Sequence, residues 1–155
     1  LRQAKGRRQL TILRASRIEA ERNEREAAEA GLARAQYLYG WHLVRDERGP
    51  EGWAWLQKAY ANGERIAGFD LYRIARYIWR DNAQALQYLQ SSAEEGELAS
   101  AQLLSIVYGK GELGLKPDAA KAGCYAKVVE QHQKLNWEAR QDLSLPGLNK
   151  GCEGS

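Results

Sequence analysis

The sequence has no methionine, one phenylalanine, three prolines, two histidines and two cysteines among its 155 residues. Valine, threonine and phenylalanine, the residues strands favour, are scarce, and alanine, leucine, glutamate, arginine and glutamine dominate, so the composition is all-helical. Prolines at 50, 117 and 146 leave long stretches with nothing to break a helix. No apolar run approaches the roughly 18 residues that would span a membrane. The formal charge of +3 is too mild to argue for nucleic acid. The chain opens at Leu1 without a methionine, which leads us to expect a missing start, through a removed signal peptide or an artificial boundary.

Catalytic patterns are also lacking. There is no Gly-x-Ser-x-Gly, phosphate loop, His-Glu-x-x-His or Cys-x-x-Cys. His42 stands beside Trp41 and reads as a satisfied or solvent-facing histidine rather than a general base. Cys124 and His132 are eight positions apart, which fits no common zinc spacing. Gly109 to Gly114 lacks the Gly-Lys-Ser/Thr ending of a phosphate loop and reads as an inter-helix connection. No enzyme, metal or cofactor is expected. Cys124 and Cys152 fit a disulfide formed in an oxidising compartment, and they fit two unrelated thiols as well.

What is present is a repeat. The stretch Trp55-Leu56-Gln57-Lys58-Ala59-Tyr60-Ala61-Asn62-Gly63 recurs in looser form with Tyr88 and Gly96, then with Tyr125 and Gln133 in the aromatic and glycine places. The aromatic positions are 33 and then 37 residues apart, and Gly31, Gly63 and Gly96 are 32 and 33 apart. A helical aromatic followed eight residues later by a helix-ending glycine, at this period, marks a helical repeat array. Small residues, Ala35, Ala67 and Ser100, lie four past each glycine and allow close helix approach.

The spacing predicts a first repeat helix from about Leu32 to Arg45, with Ala35, Leu38, Tyr39 and Leu43 on one face. Pro50 suits the first turn of the helix that follows. Repeat two places Ala67, Leu71, Ile74, Ala75 and Ile78 inward, then Asp81 or Asn82 as N-cap. Repeat three carries Ser100, Leu103, Leu104, Val107 and Tyr108, then the glycine-rich loop, then Pro117-Asp118 leading into the Tyr125 helix. A further short helix is expected over 134–143 around Trp137, with Ser144 to Ser155 as loop or tail. The chain thus divides into residues 1–27, a basic and then charged capping helix; 28–133, the repeats; and 134–155, a C-terminal helix and tail.

These residues resemble the Sel1-like repeat, a short helix-turn-helix relative of the tetratricopeptide repeat. Repeat one carries the pattern through Gly31, Ala35, Gly40, Trp55, Lys58, Ala59, Ala61 and Gly63. Repeat three carries it through Gly96, Ser100, Leu104, Tyr108, Gly111, Asp118, Ala122 and Tyr125. Repeat two is degenerate, with Ser91-Ser92-Ala93 in place of Lys-Ala-Ala and a shortened loop. The resemblance covers about residues 28–132 and implies an all-α chain, an α-solenoid of about three repeats. It also implies a protein-binding role. Similar bacterial proteins are often exported, and some are immunity proteins that neutralise a co-encoded secreted toxin, including phospholipase effectors of type VI secretion. A periplasmic location is the matching expectation, with a cytoplasmic one left open, and a scaffold in envelope assembly or signalling is the alternative. A hydrolase reading belongs to relatives with a dense cysteine pattern that this chain lacks.

The expected contact surface lies where the repeat departs from its pattern. With Ala67, Leu71, Ile74 and Ile78 inward, Phe69, Tyr72, Arg73, Arg76, Tyr77 and Arg80 take the other side, and aromatic residues and arginine are enriched at protein interfaces. Trp41 and Arg45 extend this set, and Trp53 fits either surface or core. Residues 1–17 hold Arg2, Lys5, Arg7, Arg8, Arg14 and Arg17 and no acid, which reads as a solvated leader or as a contact with an anionic membrane surface.

Overall fold

The computed structural model of the protein describes residues 2–139, 146–147 and 149–154, with residues 2–5 as backbone only. The fold is all-α, and among the described residues there is no strand. Among the described residues, seven helices follow in order: α1 (Arg2–Glu29), α2 (Ala33–Arg45), α3 (Gly49–Ala61), α4 (Ile66–Ile74), α5 (Asn82–Glu94), α6 (Leu98–Lys110) and α7 (Ala119–Ala139). A π turn, Ala75–Trp79, continues α4. The chain divides into two compact units, Leu1–Glu64 and Arg65–Ser155. Within the first, α1 packs on α2 and α2 on α3. Within the second, α4 packs on α5, α5 on α6 and α6 on α7.

Three helix ends close in the same way. Gly31, Gly63 and Gly96 have φ of 93°, 94° and 90°. In each case the glycine N–H donates to the carbonyl three residues back. The next residue's N–H donates to the carbonyl five back, as in Leu32 to Ala27, Glu64 to Ala59 and Glu97 to Ser92. This is a Schellman closure, and glycine enters its left-handed position without a Cβ penalty. The fourth such place holds Gln133, and there the helix does not stop. Residues 134–139 continue α7, so no separate short helix begins at 134, and the expected positions 140–143 lie outside the described residues. A Cβ-bearing residue disfavours the left-handed turn, and no proline follows until Pro146.

The core lies one position later than the aromatic signature suggests. Trp55 and Tyr88 are half-buried, whereas Leu56 and Leu89 beside them are fully buried. Trp55 instead meets Tyr39 edge-on at 5.4 Å and carries the Lys58 ammonium 4.3 Å over its ring. Tyr125 is itself buried. On α2 the buried set is Gln36, Gly40 and Leu43, and the expected Leu38 is exposed while Ala35 is half-buried. Gly40 faces Gly52: a Cβ on Gly52 would stand 2.6 Å from the Gly40 carbonyl oxygen and 2.6 Å from Val44 Cγ2. The two helices therefore cross almost backbone on backbone. Gln36 is buried among them because its amide is used at both ends. It donates to the Ala28 carbonyl at 3.1 Å and accepts from Asn62 at 2.8 Å.

Two helix starts match expectation. Pro50 occupies the first turn of α3, and Asp81 accepts from the Gln84 backbone N–H at 3.0 Å at the start of α5. Asp118 does the same for Lys121 at 2.9 Å. The glycine-rich segment ends α6 at Gly111, in the left-handed conformation. Cys124 and Cys152 are bridged, with Cα atoms 5.7 Å apart. The bridge draws the described part of the C-terminal segment, expected as loop or tail, against the helices: Cys152 and Asn149 are buried, and the Gly147 N–H donates to the Glu94 carbonyl at 2.9 Å.

Candidate protein-contact surface and a closed carboxylate cluster

The surface expected on α4 is rearranged by the π turn. Ala67, Leu71 and Ile74 are buried as the spacing requires, but Ile78 is 64 % exposed. Four residues beyond Ile74 would regain the inner face in an α-helix. The wider π turn carries fewer degrees per residue, so Ile78 falls outside it. Tyr72, expected outside, is 1 % exposed. Its phenol accepts from Arg76 at 3.0 Å, and burial raises the pKa of that phenol above its ordinary value. Arg76 also donates to Glu112 at 2.5 Å and lies over the Tyr77 ring at 5.3 Å. Hydrogen bonding to Glu112 is the main reason its own pKa is raised. Arg76 and Tyr72 therefore hold the turn from inside rather than facing a partner. Phe69 is half-buried against Tyr72 at a ring separation of 5.7 Å.

What remains outside is Arg73, Tyr77, Ile78, Trp79 and Arg80. Arg73 reaches back to the buried Asp70 at 3.4 Å and keeps most of its side chain in solvent. Tyr77, Ile78 and Trp79 are 61 %, 64 % and 49 % exposed in succession. Arg80 ends the turn at φ 57°, in the left-handed conformation that side chains avoid. No sequence pattern foretells the π turn, so Ile78 and Trp79 were missed. Three adjacent large apolar residues after a helix with a filled inner face were the available signal. In the other unit, Trp41 is half-buried and Arg45 exposed on α2, and Trp53 is half-buried.

A second constellation gathers around Glu153. Its carboxylate accepts from the Tyr108 hydroxyl at 2.6 and 2.8 Å, from Tyr125 at 2.6 Å and from the Lys121 ammonium at 3.3 Å. Gln90 donates to the Tyr108 oxygen at 3.0 Å. The Tyr108 and Tyr125 rings stack with centroids 5.9 Å apart, and Lys121 lies over the Tyr108 ring at 5.2 Å. Burial alone would push the Glu153 carboxyl up, but the bonds from Tyr108, Tyr125, Lys121 and Gln90 outweigh it and hold its pKa below the ordinary value. Burial, and next the Glu153 bond, push Tyr108 up to about 12 and raise Tyr125 as well. The sequence placed Tyr108 and Tyr125 in the repeat pattern and gave no reason to pair either with Glu153.

His42 Nδ1 lies 2.7 Å from Glu24 Oε2, joining α2 to α1. His132 is buried, with Nδ1 3.2 Å from Asn136. Among the described residues, no three His, Cys, Asp or Glu side chains are grouped to hold a metal. Nor, among the described residues, is any helix long and apolar enough to cross a membrane. Residues 6–20 of α1 are all exposed. Successive residues turn by about 100° in a helix, which sets Leu10 and Leu13 about 60° apart with Arg17 between them. Ile12 falls nearly opposite Leu10, so the apolar face is thin. Comparison with protein-family models, curated proteins and solved structures finds no match.

Proposed function

We propose that the chain is a protein-binding module that engages its partner through Arg73, Tyr77, Ile78, Trp79 and Arg80. The observation that carries this reading is the run of three exposed large apolar residues, Tyr77 to Trp79, between two exposed arginines. Such a patch costs solubility, while aromatic residues rimmed by arginine supply most of the energy of many interfaces. The turn that presents it is pinned from behind by Arg76, Tyr72 and Glu112. A partner then meets a shape that is already formed, and little ordering entropy is lost on binding. The unfavourable backbone at Arg80 supports the same reading, because strain of this kind collects at functional positions.

The finer proposal is an immunity protein that neutralises a co-encoded secreted toxin of the phospholipase type. The resemblance of the sequence to Sel1-like repeats supports it, and the disulfide suits an oxidising compartment such as the periplasm. The test is calorimetry between the purified protein and the toxin encoded beside it. Trp79→Ala and Arg73→Glu should each weaken binding at least tenfold, about 1.4 kcal/mol or more, with an unchanged far-UV spectrum. An undiminished affinity in the double variant would remove this surface. Arg76→Glu is unsuitable as a probe, because it would break the bonds to Tyr72 and Glu112.

A further inference from the structure

We propose that Tyr108, Lys121, Tyr125 and Gln90 form a recognition site for the carboxylate of an acidic protein segment, held shut in cis by Glu153 and locked by the neighbouring disulfide. It is independent of the α4 surface. The donors belong to the helices and the acceptor to a segment attached elsewhere. Tyr108 lies in the last turn of α6 and Lys121 and Tyr125 on successive turns of α7, so two helices aim donors at one carboxylate. Gln90 on α5 donates to the Tyr108 hydroxyl and orients it. Glu153 arrives from outside these helices, on the segment that follows α7. The arrangement is that of a receptor and a peptide ligand, with the ligand tethered. Two hydroxyls at 2.6 Å and one ammonium match the lone pairs of a single carboxylate, and charge-assisted bonds of this kind are the strong ones. A segment bearing aspartate or glutamate offers the same group in trans.

The lock is Cys152, next to Glu153 and bridged to Cys124 on the helix that carries Lys121 and Tyr125. A tether this short gives Glu153 an effective concentration that no dilute competitor matches. A thiol reductant opens the bridge by exchange: two electrons and two protons leave the reductant as its own disulfide, and Cys124 and Cys152 become thiols. The tail then stays only by its weaker contacts, and an acidic segment competes for the donors.

The test uses the full chain carrying Glu153→Gln and a fluorescent peptide of residues 146–155 carrying Cys152→Ser, read by polarisation. In thiol-reducing buffer the peptide should bind saturably. Affinity should fall at least tenfold when the peptide carries Glu153→Gln, and at least tenfold when the protein also carries Tyr125→Phe. The oxidised protein should not bind. Equal affinity for the two peptides, equal binding by oxidised and reduced protein, or no saturable binding would overturn the proposal. Unfolding of both the reduced wild-type chain and the variant, seen by far-UV circular dichroism, would also overturn it, since the tail would then be a structural staple.

Discussion

Removing the disulfide should destabilise the unit Arg65–Ser155 by an amount calculable from its loop. Cys124 and Cys152 are 28 residues apart, which in the chain-entropy account restricts the unfolded state by about 3.5 kcal/mol at 25 °C. The native side adds to this. Cys152 is fully buried and sits beside Glu153, whose bonds to Tyr108, Tyr125 and Lys121 require the tail to stay in place. The measurement is urea unfolding of the oxidised protein against Cys124→Ala/Cys152→Ala, followed by far-UV circular dichroism and tryptophan fluorescence. With an m-value of roughly 1–3 kcal/mol/M, the midpoint of this unit should fall by about 1 M or more. Adding Glu153→Gln in both backgrounds closes a double-mutant cycle. A coupling of about 0.5–3 kcal/mol is expected, because the bridge and the carboxylate restrain the same segment. A loss under about 1 kcal/mol with no coupling would refute the reasoning. It would mean that the tail is ordered without help from the bridge and that the unfolded chain is already compact.

Gly52→Ala should destabilise the unit Leu1–Glu64 by about 1–3 kcal/mol in thermal or denaturant unfolding. The new Cβ would meet the Gly40 carbonyl oxygen and the Val44 backbone, neither of which can move cheaply, and that outweighs the gain in helix propensity. Stability should decline at both ends of the pH scale, and urea midpoints across pH would show it. The depressed Glu153 carboxyl contributes fully above its ordinary value and loses that contribution as pH falls through its lower folded value. Tyr108, raised from 10.0 to about 12, contributes fully below pH 10 and loses it as pH climbs towards 12. Tyr108→Phe should remove its share of the alkaline loss. Asp81→Ala should cost about 1 kcal/mol through loss of the cap on α5. Deleting residues 1–17 should leave urea stability within about 0.5 kcal/mol, because residues 6–17 are exposed throughout and Arg17 meets Glu21 and Asp46 only at the surface.

The elements legible in the sequence were those governed by local backbone chemistry. Gly31, Gly63 and Gly96 announced three helix ends because left-handed closure is a property of one residue and its two neighbours. Pro50 and Asp81 announced helix starts for the same reason. Gln133 shows the rule from the other side: the aromatic period asked for a helix end there, the residue could not supply one, and α7 ran on. The misplaced faces have a different cause. Tyr72 was misplaced because α4 is buried on more than one side, at Gly68, Asp70 and Tyr72 as well as Ala67, Leu71 and Ile74. Ile78 was assigned by assuming that 3.6 residues close every turn. One π turn, pinned by bonds from Arg76 to Tyr72 and to Glu112 36 residues away, changed the phase. A contact that distant in sequence leaves no trace in a local period.

The same reasoning explains the Glu153 cluster. Tyr108 and Tyr125 read as packing residues because the repeat pattern proposed from the sequence puts them at packing places, and their rings do stack. Their hydroxyls are directed by the tail, whose path depends on whether Cys124 and Cys152 pair, and the spacing left that open. The disulfide therefore does more than restrict the unfolded chain. By fixing residue 152 it places residue 153, and thereby decides whether two buried phenols and an ammonium face a carboxylate or are left without one. Leaving buried donors unpaired costs about 1–3 kcal/mol each. Once the tail lifts, water reaches these hydroxyls and the ammonium, so an acidic segment competes with water for them.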